Sequence, residues 1–348
     1  ASAASLANDF ASALSPSQIG LEAAIKLVDS GQVGKAMAIA QLMPDQTSRH
    51  MIQWLVAQSG SPDISVQMIT QTASELPDWP GQSLMRRRAE QALQRMNADP
   101  ATIIGAFANT KPGSDEGLIL LTGALVSAGR TNDAAALLRP RWRRDSFSAA
   151  NEATILRQFG GLLTAADHKA RMDKFFYDDD AEEGLAIAKL LPADYQALAA
   201  ARAAVINKSP KAGAMLDKVP AKLKKDPGYI YSATQYLRRA ERYKEAAAMM
   251  LTAPRTAEQL VDPDAWWIER RVLSREMLDL GDARTAYKLA SEHAAESSAN
   301  QADAEFHAGW YALRFLNDPV TARRHFAAIQ AASTMPLSQS RAEYWLGR

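Results

Sequence analysis

The side chains able to do chemistry are few and scattered. Five histidines, His50, His168, His293, His307 and His325, stand alone, and none lies in an H-E-x-x-H or similar frame. His307 has Glu305 two positions away, but residues two apart on a helix point in different directions and do not chelate. These histidines read as surface or internally satisfied groups, and no metal site is expected. An acidic run, Asp178, Asp179, Asp180, Glu182 and Glu183, lacks the glycine and the spaced terminal glutamate of a calcium loop. Acids in that register suit a helix start, where they meet the positive end of the macrodipole. Cysteine is absent, which removes thiolate nucleophiles, thiolate metal sites and disulfides. There is no glycine-rich phosphate loop and no G-x-S-x-G elbow, no pair of carboxylates is singled out, and no cofactor is expected. What remains is basic. Arg86, Arg87 and Arg88 form one cluster; Arg139, Arg141, Arg143 and Arg144 surround Trp142 in another. Guanidiniums with an interleaved aromatic suit phosphate or an anionic polymer, so these seven arginines are a candidate anionic-partner patch. With 40 basic against 39 acidic residues the net charge is +1, too little for a dedicated nucleic-acid binder.

The elements that must position these groups are helices. The chain is 47% apolar and alanine-rich, with few β-branched runs, and alanine is the best helix former. Proline and glycine, from Pro16 and Gly31 through Pro140 to Pro319 and Pro336, divide it into amphipathic segments, of which residues 241–251 are an example. Roughly twenty short helices are expected, and no strand. The longest apolar stretch, Gly117 to Gly129, has 13 residues. That is too short to cross a bilayer and reads as a buried helix.

A pattern recurs along the chain: a turn residue, then alanine five positions later. It occurs at Gly31 and Ala36, Gly129 and Ala134, Glu241 and Ala246, Gly281 and Ala286, Asn317 and Ala322. The turn residue ends one helix in a left-handed cap; the alanine, one turn into the next helix, allows close crossing. The fold class is therefore all-α: stacked helical hairpins of degenerate tetratricopeptide-like form, curved into a superhelix or ring segment. One such domain is expected over residues 1–348, with a seam near 210–228. The first five residues, Ala-Ser-Ala-Ala-Ser, fit the remainder of a cleaved signal peptide and equally an arbitrary boundary of the sequence. Residues 341–348 read as a helix just begun, with Ser338 or Ser340 as N-cap. Tyr344, Trp345 and Leu346 call for a partner, so a continuation beyond Arg348 is expected to carry the chemistry.

Residues 262–348 carry something more specific. W-x-E-R-R stands at Trp267, Glu269, Arg270 and Arg271, preceded by Trp266; A-G-W-x-A-L-R runs from Ala308 through Gly309 and Trp310 to Arg314, followed by Asn317-Asp318-Pro319; Tyr344-Trp345-Leu346-Gly347-Arg348 closes the sequence. In order and spacing this resembles the superhelical domain of the soluble lytic murein transglycosylases of Gram-negative bacteria. The resemblance implies a periplasmic protein that works on peptidoglycan glycan strands. Such enzymes cleave the β-1,4 bond between N-acetylmuramic acid and N-acetylglucosamine without adding water, leaving a 1,6-anhydro product. A single glutamate, in a Glu-Ser pair of a lysozyme-like domain that follows Y-W-L-G-R, serves as acid and then base. Glu296-Ser297 sits at a helix end between repeats and is not that pair, so no catalytic residue is carried over. The expected function is a non-catalytic scaffold, monomeric and without a membrane span, that positions the catalytic domain and restricts which strands reach it. The alternative is a tetratricopeptide-like adaptor that binds a protein or peptide. On either reading Trp266, Trp267, Trp310, Tyr311 and Phe315 are core aromatics, and Arg270, Arg271 and Arg314 are expected to pair with Glu269, Glu305 or Asp279.

Overall fold

The computed structural model describes residues 16–348, with side chains from residue 20 onward. Over that range the chain forms 21 α-helices and two short 3-10 turns, and no strand occurs among the described residues. It divides into two compact units: Ala1–Arg141 with Asp145–Leu163, and Trp142–Arg144 with Thr164–Arg348. The segment 210–228, where a seam was expected, lies inside the second unit.

The first unit contains α1 (Pro16–Asp29), α2 (Val33–Leu42), α3 (Gln46–Ser59), α4 (Val66–Glu75), α5 (Gln82–Arg95), α6 (Pro100–Ala106), α7 (Asp115–Ser127), most of α8 (Thr131–Arg144) and α9 (Ala149–Phe159). The second contains α10 (Ala165–Tyr177), α11 (Ala181–Ala188), α12 (Ala193–Ile206), α13 (Ala212–Asp217), α14 (Pro227–Arg239), α15 (Tyr243–Met250), α16 (Ala257–Leu260), α17 (Pro263–Asp279), α18 (Ala283–Ser291), α19 (Ser298–Phe315), α20 (Pro319–Ala332) and α21 (Pro336–Gly347). Neighbours in sequence pack on one another, as α1 on α2, α4 on α5, α14 on α15, α17 on α18 and α19 on α20. This is an array of helical hairpins of tetratricopeptide-like form.

Local chemistry sets the boundaries. The side chains of Asp45, Ser65, Asp99, Ser114, Ser148, Thr164, Asp180, Asp226, Asp262, Asp282, Ser297 and Asp318 each accept a backbone N–H of the first turn, satisfying donors the helix leaves open. Asp180 is the last of the three consecutive aspartates in the acidic run, which does cap a helix as expected. Proline opens α6, α14, α17, α20 and α21, where its missing N–H costs nothing. Two boundaries differ from expectation. Pro140 does not break the chain but sits inside α8. The last helix begins at Pro336 with Met335 as N-cap, so Ser338 and Ser340 are helical residues.

The turn-and-alanine pattern is the hinge of every hairpin in which it was expected. Gly31, Gly129, Glu241, Gly281 and Asn317 all have positive φ, between 53° and 79°. Ala36, Ala134, Ala246 and Ala286 are fully buried, and Ala322 nearly so. In four of the five turns the N–H one residue after the turn reaches back five residues: Gln32 to Leu27, Arg130 to Leu125, Arg242 to Leu237, Asp282 to Met277. This satisfies the last carbonyls of the first helix. Two further copies occur. Asp179 (φ 60°) and Lys208 (φ 52°) make the same turn, with Asp180 bonded to Phe175 and Ser209 to Ala204. Five residues on stand Gly184 and Gly213, not alanine. A Cβ on Gly184 would lie 2.8 Å from the Phe176 ring, and one on Gly213 would collide with the Tyr236 hydroxyl. The crossing there is closer still, and only glycine fits.

The longest apolar stretch is α7, with Leu118, Leu121, Ala124 and Leu125 buried. No described helix is long and apolar enough to cross a membrane.

Candidate functional site

The motif residues of 262–348 concentrate in α17, α19 and α21. They work in different directions around α17, because successive side chains on a helix leave at about 100° to each other. Trp266 turns toward α10 and α14: its ring lies 5.0 Å from Tyr231, itself 4.9 Å from Tyr177, in edge-on arrangements. Its indole N–H is given to the Leu260 carbonyl at 3.2 Å. Trp267 turns toward α19 and donates to Asp303 at 3.1 Å. Glu269, buried, receives Arg238 of α14 through two nitrogens, Nη2 at 3.1 Å. Arg270, buried, reaches the Leu289 carbonyl at the end of α18 (3.4 Å); burial lowers its pKa to about 10. Arg271 joins Trp267 on Asp303, at 3.1 Å. Ser274 and Tyr311 share a hydroxyl–hydroxyl bond of 3.1 Å. One face of α17 thus fixes α14, another α18 and a third α19.

The expected ion pairs form with other partners. Glu269 takes Arg238 and Arg271 takes Asp303, while Arg270 has a carbonyl and Arg314 is exposed with no ion pair. The partners used come from neighbouring hairpins, Arg238 of α14 for Glu269 and Asp303 of α19 for Arg271. Nor are all five aromatics core: Trp266, Trp267 and Tyr311 are buried, but Trp310 is half-buried and Phe315 is 44% exposed.

Gly309 is explained by α20. A Cβ there would lie 2.7 Å from the Phe326 ring, and the same ring stacks on Trp345 at 5.7 Å and 23°. Trp345 and Leu346 therefore have partners within the chain, in the cluster of Ala322, Phe326, Ile329 and Ala342. Tyr344 is exposed, its hydroxyl accepting from Arg348 at 2.9 Å.

Glu305 binds neither Arg270 nor Arg314 but two histidines. His293 Nε2 lies 3.1 Å from one carboxylate oxygen and His325 Nδ1 2.6 Å from the other. His293 Nδ1 accepts from the Ala295 N–H (3.2 Å), and His325 Nε2 meets the Tyr287 hydroxyl (3.1 Å). All of these bonds are satisfied with both rings neutral and donating to Glu305. Burial raises the Glu305 pKa, but the bonds from His293 and His325 outweigh it and bring it down to about 2. Sequence reasoning missed this bridge, as it did the buried ionic cluster of α10, α12 and α14. In that cluster Asp173 takes Lys169 at 2.5 Å and also Arg202, whose guanidinium lies 4.7 Å over Phe176. Lys169 and Asp173 are an i, i+4 pair that the sequence does mark, but Arg202 joins them, and His293 and His325 join Glu305, from other elements and meet them only in three dimensions.

The two basic clusters are mostly engaged with their own chain. Arg88 donates to the Gln58 carbonyl and to Gln91, both at 3.0 Å. Arg139 donates to the Leu162 carbonyl at 2.8 Å, and Arg141 is paired with Asp145 and Asp115. Arg143 pairs with Asp167 at 2.6 Å. Arg86 lines an apolar cavity of about 260 Å³ with Ile69, Met85, Leu93 and Phe107; Arg87 and Arg144 are exposed. Trp142 is fully buried beneath Arg171, 4.3 Å away, so it is no platform for an anionic polymer.

A different group of side chains does face open space. An open groove of about 530 Å³ lies against α17, α19 and α21, walled by Arg275, Phe306, His307, Trp310 and Arg341.

No family model matches this chain, and no curated protein does. Among solved structures, a chain of the crystal structure of the APC/C hetero-tetramer Cut9-Hcn1 matches 99% of this chain and 78% of its own, at 11% sequence identity and a TM-score of 0.31. Both values are too low for that match to speak to function. The geometry described above makes the chain a helical-repeat scaffold.

Proposed function

We propose that this scaffold is non-catalytic and serves a peptidoglycan lytic transglycosylase, holding the catalytic domain and restricting the glycan strands that reach it. The observation that carries this reading is the ordered motif set from Trp266 to Arg348. Its conspicuous residues have structural work: Trp267, Glu269, Arg270 and Arg271 tie α17 to three other helices, and Gly309 and Trp345 both pack on Phe326. Residues spent on fixing helix register support a positioning role better than a bond-breaking one. A periplasmic location belongs to this reading. The reading frame that encodes the chain tests it: a lysozyme-like segment with a Glu-Ser pair is expected after Arg348. A stop codon or unrelated sequence there contradicts the assignment.

A tetratricopeptide-like adaptor is the second reading, and one observation favours it. The groove along α17, α19 and α21 presents arginine side chains with no acidic partner, as a surface for a peptide would. No enzyme need accompany such an adaptor.

A further inference from the structure

The groove of the second unit is built from the first helices of successive hairpins, α17 and α19, together with α21. Its polar lining is unbalanced. The Asp303 charge is already paired, with Trp267 and Arg271 both on its Oδ2 at 3.1 Å. Among the described residues Arg275 has no carboxylate partner; its Nη2 lies 2.9 Å from Nε2 of His307. That imidazole gives its Nδ1–H to the Asp303 carbonyl at 2.7 Å, leaving Nε2 as an acceptor for the arginine. A neutral ring therefore orients Arg275 without cancelling its charge, and burial, the main influence on His307, favours the neutral form. Arg341 likewise has no ion pair, and its guanidinium lies 4.8 Å from the centre of the Phe306 ring. Phe306 and His307 are themselves 5.6 Å apart, edge to face. One guanidinium thus stands on His307 and the other against its neighbour Phe306, each held in place by a group that leaves its charge free.

Against these two cations the groove sets one unpaired carboxylate, Asp279. Its open hydrogen-bonding groups are mainly donors, and beside them lies the apolar surface of Phe306 and half-buried Trp310. A neutral sugar would need acceptors for its hydroxyls, and among the carboxylates only Asp279 and the second oxygen of Asp303 supply them. Carboxylates matched to guanidiniums gain charge-assisted, bidentate bonds, and arginines already held in position lose little freedom on binding. We propose that this groove binds an acidic peptide segment, one carboxylate on Arg275, a second on Arg341, and an apolar side chain between them against Phe306 and Trp310. The inference rests on the groove itself and stands with either reading above, so failure of the reading-frame test leaves it intact.

Fluorescence anisotropy of the full chain with a fluorescein-labelled Gly-Glu-Phe-Glu-Gly peptide tests it. Saturable binding that weakens with added salt is expected. Arg275→Gln and Arg341→Gln should each weaken it about tenfold, and the double variant should abolish it. Both arginines are exposed, so the thermal midpoint should not move. The Gln-for-Glu peptide should not bind. Absence of saturable binding, equal binding of the Gln peptide, or undiminished binding by the double variant would overturn the proposal. Competition by oligogalacturonate at or below the peptide's own concentration would also overturn it, by assigning the groove to a carboxylated glycan.

Discussion

Glu305 illustrates how much a single residue can depend on its setting. It sits mid-helix in α19, yet its two oxygens are held by His293, which follows α18, and by His325 on α20. Its pKa of about 2 lies below that of an unfolded glutamate, so the folded state favours the ionised form. That contribution is present above about pH 4.5 and is lost as pH falls toward 2; its size is on the order of 3 kcal/mol. Urea unfolding followed between pH 6 and 2.5 should therefore show a steep acid limb, flattened in Glu305→Gln. An unchanged acid limb in the variant would mean that the histidine bridge contributes no such term. None of this was legible in the sequence. The residue beside Glu305 that drew notice was His307, which turns instead to Arg275 and the Asp303 carbonyl.

At the scale of elements the sequence was far more informative, because a hairpin is a local object. Five turn residues and five alanines, read as spacing alone, fall at positive φ and at buried crossings. The pattern was invisible at Asp179 and Lys208, where glycine replaces alanine because Phe176 and Tyr236 come closer than a methyl group allows. Pro140 deceived for the opposite reason: a breaker by rule, it is tolerated inside α8. The turn at Glu241 offers a test with a definite sign. A non-glycine residue in the left-handed region is strained, so Glu241→Gly should stabilise the chain by about 0.5–1 kcal/mol, the relief of strain exceeding the added unfolded-state entropy. Gly281→Ala, in the equivalent turn, should destabilise it by about 1 kcal/mol. Urea midpoints of the two variants read the difference. Like signs would mean that the two turns are not equivalent.

For the molecule as a whole, fold class followed from composition and period, while partners depend on which side chains are left over once the helices have packed. The arginine clusters looked like the binding surface because charge is visible in a linear sequence; the carbonyls and carboxylates that occupy Arg88, Arg139, Arg141 and Arg143 come from other helices. Arg275 and Arg341, 66 positions apart in the sequence, carry no linear sign of belonging together, and the fold brings them to one groove. Trp266, Trp267, Glu269 and Arg270, by contrast, are buried and bind the hairpins to each other, which is the basis for the proposal of a scaffold that positions and does not cut. The most direct measurement is chromatography of the soluble products after the purified chain is incubated with intact sacculi. No release of 1,6-anhydro-muropeptides above a buffer control is expected. Their release by this chain alone would contradict the non-catalytic reading and place bond cleavage within these 348 residues.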